Sequence, residues 1–345
     1  MKDVLMIGLS APLEGGAERH VYEVSSRIEN CTVLTQKGSI CKKKIELPLI
    51  NKPVFLRNIS FLLASAIYAI FLVVKLKKKY NIIHTNPNLL YFLAPILRLR
   101  YNVVITVHGI KGFKFYDNKF IWFFFKTALR FANTIIVVNL EDKKKLENIF
   151  KNVIYIPNGV DLSAYWKINP KIEKKITFIG RIHEQKGIIY LLNAFEIINK
   201  EFPNFKLEII GGLTEYALEL QKKFSNKNII WRGSLSDRKE IIKSLKSAYC
   251  IVLPSLWEGL PLTLFESLAS ERPVILSDIG AFKSIIKDEA VFFKNKNQND
   301  LVKNIKYLIK NQKLTKKYGV KGIKLAKEYD WDKIAERFNK VYNKL

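Results

Sequence analysis

Residues 250–266 read CIVLPSLWEGLPLTLFE, and this stretch is the most specific pattern in the chain. Its first four residues form a short apolar run, which predicts a buried strand. Pro261 favours the start of a helix, whose first turn leaves backbone amides without intrahelical partners. Glu258 precedes that turn and Glu266 follows it. The pattern predicts a strand running into a helix, with amide donors and two carboxylates placed to bind phosphates and hydroxyl groups.

The same alternation of a short apolar run and a longer helical pattern recurs along the chain. The runs that predict strands are residues 4–7, 32–34, 82–83, 103–107, 135–138, 153–156, 176–179, 207–210, 229–231, 250–253 and 273–276. Buried runs of this kind are typical of parallel strands with helices on both faces. A length of 345 residues therefore predicts two doubly wound α/β domains, with a linker near 163–174. Ligands are expected beyond the carboxyl ends of the strands.

Composition argues against several kinds of site. The cysteines are Cys31, Cys41 and Cys250, and the histidines are His20, His84, His108 and His183. These residues show no close pairs and no i, i+4 spacing, so they predict neither a disulfide framework nor a metal site. The first residues predict a strand rather than a signal peptide. Together with the cysteine usage, this predicts a cytoplasmic protein.

The formal net charge of +27 has a strong local component. Residues 31–126 hold 16 Lys and Arg, two acidic residues and sixteen aromatic residues. This mixture suits an anionic membrane surface or a nucleic acid, although a general enrichment in lysine would also produce it. Within it, the uncharged residues 59–74 are fewer than the roughly 20 that a spanning helix needs. They predict a helix packed on a sheet or one lying in the membrane interface.

Two further candidates follow predicted strands in the first half of the chain. Gly15 and Gly16 precede a helical pattern, so their backbone could approach a phosphate or simply form a tight turn. His84 and His108 follow apolar runs, where a histidine can bond a hydroxyl or stabilise developing charge. Each histidine could equally be a core residue satisfied by its neighbours.

Cations and carboxylates follow the strands of the second half. Arg181 and Lys186 bracket a loop ahead of a helix, an arrangement suited to a diphosphate, although chance surface charges would look the same. Glu266 can be a ligand for ribose hydroxyls or only an acidic residue that stabilises a helix start. The residues alone leave these alternatives open.

Five motifs in order resemble the retaining glycosyltransferases of family four. They are Gly15-Gly16-Ala17-Glu18-Arg19, His108-Gly109, Pro157-Asn158-Gly159-Val160-Asp161, Gly180-Arg181 with Lys186-Gly187, and Glu258 with Glu266. The pair of glutamates separated by seven residues is the most diagnostic of them, and the resemblance covers nearly the whole chain. It implies the GT-B fold, an α/β architecture of two facing Rossmann-like doubly wound domains with an interdomain cleft.

The resemblance also implies a division of labour. Residues 1–163 would form an N-terminal acceptor-binding domain, with a helix at about 331–345 packing back on it. Residues 164–330 would form a C-terminal nucleotide-sugar-binding domain.

Site roles follow from the same resemblance. Arg181 and Lys186 would hold the donor diphosphate, Glu258 the donor-sugar hydroxyls and Glu266 the ribose, while His108 would lie against the transferring sugar. The candidate catalytic residues are therefore His108, Glu258, Arg181 and Lys186. The other candidate donor-binding residues are Gly15, Gly16, Gly180, Arg232, Gly259, Leu260, Pro261, Leu262 and Thr263. Pro261 replaces a frequent glycine of the family, and the sequence around Lys283 and Ser284 departs from its pattern.

The implied activity is transfer of a hexose with retention, from a nucleotide sugar expected to be UDP-linked, with no metal or other cofactor. Residues 108–112, HGIKG, look like enzymes that extend undecaprenyl-diphosphate-linked saccharides in cell-surface glycan synthesis. Residues 31–126 would then meet the anionic inner face of the cell membrane, and no nucleic-acid partner is expected. A sugar-nucleotide epimerase and a basic nucleic-acid-binding module are the competing hypotheses.

Overall fold

The computed structural model describes residues 2–11, 15–50, 53–75, 79–86, 89–110 and 118–345. The chain divides into two compact units, Met1–Asn158 with Trp331–Leu345, and Gly159–Asp330. The division falls before the boundary predicted at 163, because Val160 forms a β-bridge with Asp330 and its amide donates to the Tyr329 carbonyl over 2.9 Å. The expected linker also contains a short helix, α6, described below.

The first unit is built on a seven-stranded sheet. Its strands are β1 (Val4–Ile7), β2 (Cys31–Gln36), β3 (Lys44–Leu47), β4 (Ile82–Thr85), β5 (Asn102–Val107), β6 (Thr134–Val137) and β7 (Val153–Tyr155). They are all parallel, in the order β3-β2-β1-β4-β5-β6-β7. The order reverses direction between β1 and β4, which is where doubly wound sheets bind ligands.

Helices pack around this sheet. They are α1 (Gly16–Ser26), α2 (Val54–Val74), α3 (Ala94–Arg98), α4 (Lys119–Leu129), α5 (Leu140–Glu147) and, from the end of the chain, α14 (Trp331–Lys344), with a 3₁₀ turn at Leu89–Leu93. Every side chain of β1, β4 and β6 is buried, as expected for parallel strands covered on both faces.

The second unit contains a six-stranded parallel sheet. Its strands are β8 (Lys175–Ile179), β9 (Lys206–Ile210), β10 (Ile229–Gly233), β11 (Cys250–Leu253), β12 (Val274–Ser277) and β13 (Val291–Phe293). Their order is β10-β9-β8-β11-β12-β13. The helices are α6 (Leu162–Trp166), α7 (Ile188–Glu201), α8 (Glu215–Lys223), α9 (Arg238–Ser247), α10 (Leu262–Ala269), α11 (Gly280–Lys283), α12 (Gln298–Lys310) and α13 (Gln312–Ala326), with 3₁₀ turns at Glu184–Lys186 and Lys327–Tyr329. Neighbouring β8 and β11 place their carboxyl ends side by side.

The structure confirms the predicted α/β class and all eleven predicted strands, and it adds β3 and β13. Strand β3 lies at the edge of its sheet, and its sequence KIEL alternates exposed and half-buried residues. A continuous apolar run predicts a strand buried on both faces, and this alternating edge strand contains no such run. Strand β13 is also an edge strand and has three residues.

Helix α2 is longer than the apolar run predicted. The prediction that this segment is too short to span a membrane was wrong on length, because the helix starts directly after Pro53 and includes Arg57. Within the described residues, one helix is long and apolar enough to cross a membrane, and it is α2. The candidate span is Phe55–Val74, which has a mean hydropathy of 1.9. One face nevertheless packs on the core of the first unit through Phe61, Ala69 and Leu72.

Candidate active site

The loops after β8 and β11 meet at the carboxyl edge of the second sheet. The Leu256 amide donates to the Gln185 carbonyl over 2.8 Å, and Gln185 Nε2 donates to the Trp257 carbonyl over 3.0 Å. Gly187 has φ +61°, and a Cβ at this position would lie 2.1 Å from the Pro254 carbonyl oxygen. Glycine is therefore required for the two loops to pack this closely.

This packing brings Lys186 and Glu258 together in an ion pair. Their side chains are 13% and 6% exposed, so the pair is largely removed from water. Ser255 Oγ donates to Glu258 Oε1 over 2.7 Å, and Gln185 Nε2 lies 3.4 Å from Glu258 Oε2. The Glu258 carboxylate is thus held by a cation and two neutral donors, which is the arrangement a desolvated carboxylate needs.

Arg181 differs from Lys186 in having no partner among the residues that the structure describes. It follows β8 and Gly180, whose amide donates to the Ile210 carbonyl over 3.0 Å. Its side chain is exposed, and no hydrogen bond or ion pair joins it to the described part of the chain. A guanidinium without a partner among the described residues, in the same loop as Lys186, is suited to an incoming anion.

Helix α10 begins at the same edge. Its N-cap is Pro261, which supplies no side-chain hydrogen bond to the first turn. The predicted donor-binding residues Gly259, Pro261, Leu262 and Thr263 are partly exposed here, whereas Leu260 is buried. Uncapped amides at a helix start, with the positive end of the helix dipole behind them, favour an anion.

Glu266 lies one turn further along α10 and is held by Arg238, whose Nη1 donates to Glu266 Oε1. The carboxylate is 13% exposed. Arg232 is on β10, and its Nε lies 3.8 Å from Glu208 Oε1. Arg232, a predicted donor-binding residue, therefore pairs with Glu208, which is neither of the two motif glutamates. No sequence pattern indicated Arg238, because its partner Glu266 is 28 residues away.

In the first unit, Gly15 is the N-cap of α1, and its carbonyl accepts from the Arg19 amide over 3.0 Å. Gly16 is the first residue of that helix, which has no side-chain cap. His108 follows β5, and its Nε2 is buried without a hydrogen-bond partner among the described residues. The ring of His20 lies perpendicular to that of His108, with 4.6 Å between the ring centroids.

His20 and Asn158 were not predicted as site residues, although Asn158 lies in the Pro-Asn-Gly motif and His20 directly follows the glycine-rich motif. His20 Nδ1 and Asn158 Oδ1 are 3.0 Å apart, so the helix that begins in the glycine-rich motif contacts the Pro-Asn-Gly motif. His84 is a core residue, since its two ring nitrogens bond Tyr342 Oη (2.6 Å) and Thr106 Oγ1 (2.7 Å).

Burial keeps these histidines neutral. It lowers the pKa of His20 to about 4, against the opposing hydrogen bond with Asn158. Burial, followed by the neighbouring His20 and His84, holds the pKa of His108 well below its ordinary value. His108 is therefore suited to hydrogen bonding rather than to supplying a positive charge.

A separate feature of the first unit is a set of exposed apolar side chains on α2, α4 and the 89–93 turn and at Leu99, directly after α3. Helices α2, α3 and α4 each contact the 89–93 turn. We call this set the exposed apolar surface; its side chains are Phe55, Leu56, Leu63, Ile67, Ile70, Phe71, Val74, Leu89, Phe92, Leu99, Phe120, Ile121, Phe123 and Phe124. Lys75 Nζ lies 5.4 Å from the centroid of the Phe71 ring, and Lys126 Nζ 5.8 Å from that of Trp122. The predicted basic and aromatic residues at 77–78 and 111–117 lie outside the described residues.

Two family models match consecutive parts of the chain. The model named Glycosyltransferase Family 4 matches residues 14–164, and the model named Glycosyl transferases group 1 matches residues 166–325. The chain belongs to the group 1 glycosyltransferases. The predicted family is thereby confirmed.

Curated relatives and solved structures agree with this assignment. This glycosyltransferase is 29% identical over 265 residues to UDP-Gal:alpha-D-GlcNAc-diphosphoundecaprenol alpha-1,3-galactosyltransferase of Escherichia coli, over 69% of this chain and 68% of that one. It is 25% identical over 238 residues to N,N'-diacetylbacillosaminyl-diphospho-undecaprenol alpha-1,3-N-acetylgalactosaminyltransferase of Campylobacter jejuni, over 64% and 63% of the two chains.

The fold is shown by two solved structures. Sucrose-phosphate synthase from Thermosynechococcus elongatus superposes with a TM-score of 0.81 at 19% identity, over 100% of this chain and 99% of that one. The Anabaena protein HepE, in complex with UDP, gives a TM-score of 0.80 at 14% identity, over 99% and 100%. The glycosyltransferase has the GT-B fold that the motifs implied.

Proposed function

We propose that this glycosyltransferase transfers a hexose, with retention at the anomeric carbon, from a nucleotide sugar to a lipid-linked saccharide. The observation that carries the proposal is the grouping of three features at one sheet edge. They are Arg181, which has no partner in the described part of the chain, the Lys186–Glu258 pair and the uncapped start of α10. Two cations and free amides suit a diphosphate, while the two motif glutamates suit hydroxyl groups.

In this proposal Arg181 and Lys186 stabilise the leaving nucleoside diphosphate. The bond between the anomeric carbon and the diphosphate oxygen breaks, and negative charge develops on that oxygen. The two cations and the amides of α10 offset this charge. The acceptor oxygen bonds to the anomeric carbon on the same face, and its proton passes to the departing diphosphate.

Glu258 would bind the hydroxyls of the donor sugar. Its carboxylate pairs with Lys186 in the free protein. When the diphosphate takes up part of the lysine's charge, the carboxylate can accept from sugar hydroxyls while Ser255 still donates to it. Glu266 would bind the ribose, and neutral His108 would bond the transferring sugar.

We propose UDP as the nucleotide, supported by the name of the Escherichia coli relative and by the UDP in the HepE complex. We also propose that no metal takes part, since Arg181 and Lys186 can balance the charge of the diphosphate. Unchanged turnover in the presence of EDTA is the expected result.

The proposed acceptor is a saccharide on undecaprenyl diphosphate, in the synthesis of a cell-surface glycan. Two relatives carry diphosphoundecaprenol acceptors in their names. A lipid-linked acceptor requires access to a membrane, and the exposed apolar surface with Lys75 and Lys126 beside it suits an anionic bilayer.

We propose that α2 lies along that bilayer rather than across it. Ser65 and Ala69 are fully buried on the face toward the sheet, whereas Ile67 and Val74 on other faces are exposed. A helix that crosses a membrane would have to abandon its packing on the first unit. The proposed location is the cytoplasmic face of the cell membrane, with peripheral attachment.

The test is sugar transfer from nucleotide sugars to a short prenyl-diphosphate-linked saccharide by the purified protein. Arg181→Ala, Lys186→Ala and Glu266→Ala should each lose transfer by about a hundredfold or more, because each removes a charge-assisted contact to the donor. Lys283→Ala is the matched control, since it removes an exposed cation of the same unit that pairs with Asp278.

Near-normal turnover by all three variants would contradict the proposal. Conversion of the nucleotide sugar without any acceptor would instead indicate an epimerase.

A further inference from the structure

In the absence of a ligand, one of the two carboxylate oxygens of Glu266 is already bonded. Arg238 Nη1 donates to its Oε1, and no other residue within the described ranges forms a hydrogen bond or ion pair with it. Its second oxygen, Oε2, is therefore left to accept from a ligand. The two side chains are 28% and 13% exposed, so the pair is partly shielded from water and from salt.

Arg238 is itself fixed by its surroundings. It is the first residue of α9, and the preceding Asp237 caps that helix by accepting from the Lys239 amide over 2.8 Å. Its guanidinium lies over the Tyr165 ring, 5.8 Å from the centroid. Lys246 Nζ donates to the Tyr165 carbonyl over 3.0 Å, which ties α6 to α9.

An arginine that stacks on a ring and starts a capped helix has few other conformations. The carboxylate that it holds is therefore preorganised. A partly buried carboxylate of fixed orientation binds a hydroxyl strongly, and it is left with an unsatisfied oxygen when that hydroxyl is missing. A carboxylate free to turn toward water would lose much less.

We propose that Arg238 is a positioning residue that orients Glu266 toward the ribose hydroxyls and thereby sets the preference for ribonucleotides over deoxyribonucleotides. This inference rests on the proposed function, because the ribose role of Glu266 is part of that proposal. Arg238 need not touch the nucleotide, since it acts through the oxygen that it holds.

The experiment is calorimetric titration of the full chain with UDP and with 2′,3′-dideoxyuridine diphosphate, which lacks both ribose hydroxyls. The wild type should prefer UDP by about tenfold or more, the value of a hydrogen bond to a charged group. Arg238→Gln should reduce that preference to about threefold or less, mainly by lowering the affinity for UDP. Arg238→Lys should restore part of it, since the charge returns without the planar fork.

The matched control is Lys239→Gln, which removes an exposed cation from the next position of the same helix. It should keep the wild-type preference. Glu266→Gln should lose the preference, and adding Arg238→Gln to it should cause no further loss if the two residues act as one unit.

The possible outcomes distinguish the positioning role of Arg238 from the ribose role of Glu266. If Glu266→Gln loses the preference but Arg238→Gln and Arg238→Lys keep it, the inference is overturned and the ribose role of Glu266 stands. An equal loss of both ligands in Arg238→Gln also overturns it, because that pattern indicates a general effect of charge or folding. If Glu266→Gln keeps the preference, the ribose role fails and the inference with it.

Discussion

Gly187 is the residue on which the packing of the two donor loops depends. Its φ of +61° and the 2.1 Å approach of a Cβ to the Pro254 carbonyl leave no room for a side chain. Gly187→Ala should lower the free energy of unfolding by at least about 2 kcal/mol, through both backbone strain and the clash. Because the loops must separate, donor affinity should also fall. Urea unfolding and UDP titration measure the two effects.

Gly38→Ala is the control for this substitution. Gly38 also has a positive φ, +82°, but no atom of the described residues lies within 4 Å of its Cβ position. Gly38→Ala should lower the free energy of unfolding only through backbone strain, by about 1 kcal/mol, and it should leave donor affinity unchanged. Equal losses of stability in the two variants would show that loop packing contributes nothing.

At the scale of single residues, the sequence predicted that Arg181, Lys186 and Glu258 lie at one edge of the sheet but not how the side chains are paired. Arg181, Lys186 and Glu258 follow predicted strands, so their arrival at one sheet edge could be expected. The Lys186–Glu258 and Arg238–Glu266 pairs join residues 72 and 28 positions apart, and no local pattern encodes such a contact.

Helix α14 packs on two buried histidines of the first unit, His20 and His84. Its Trp331 and Phe338 contact the His20 ring, and Tyr342 bonds His84. The pKa of His20 is about 4 in the folded chain, below its ordinary 6.5, so the unfolded chain binds more protons between these values. Stability should therefore fall as the pH drops through this window, by about 3 kcal/mol from His20 alone.

Urea unfolding at pH 7 and pH 4.5 tests this expectation. His20→Gln should show a smaller loss of stability between the two pH values than the wild type, because its side chain takes up no proton. His183→Gln, which replaces an exposed ring, should keep the wild-type loss. An unchanged pH dependence in His20→Gln would mean that other titrating groups account for all of it.

The elements also show where sequence patterns stop being informative. Buried parallel strands such as β1 were predicted to the residue, because burial on both faces demands a continuous apolar run. The edge strand β3 escaped this criterion because one of its faces is open to water. The start of α2 was missed because a charged residue, Arg57, lies inside its first turns.

For the whole molecule, the cations behind the net charge of +27 lie in different kinds of surroundings in the two units. In the second unit Arg181 and Lys186 lie at the proposed donor site, whereas cations such as Lys306 pair with surface carboxylates. In the first unit the described Lys75 and Lys126 lie beside aromatic rings of α2 and α4. Charge and apolar surface thus occur together on the unit proposed to bind the acceptor.

This combination predicts membrane binding with two separable components. The chain should sediment with vesicles containing phosphatidylglycerol, and added salt should weaken that binding without abolishing it, because salt screens only the charged component. Ile67→Glu should reduce the affinity about tenfold or more, since Ile67 is 71% exposed and would lose its apolar burial. Leu218→Glu, at a 47% exposed leucine of the second unit, should leave it unchanged. Equal binding by Ile67→Glu and the wild type would place the membrane contact away from α2.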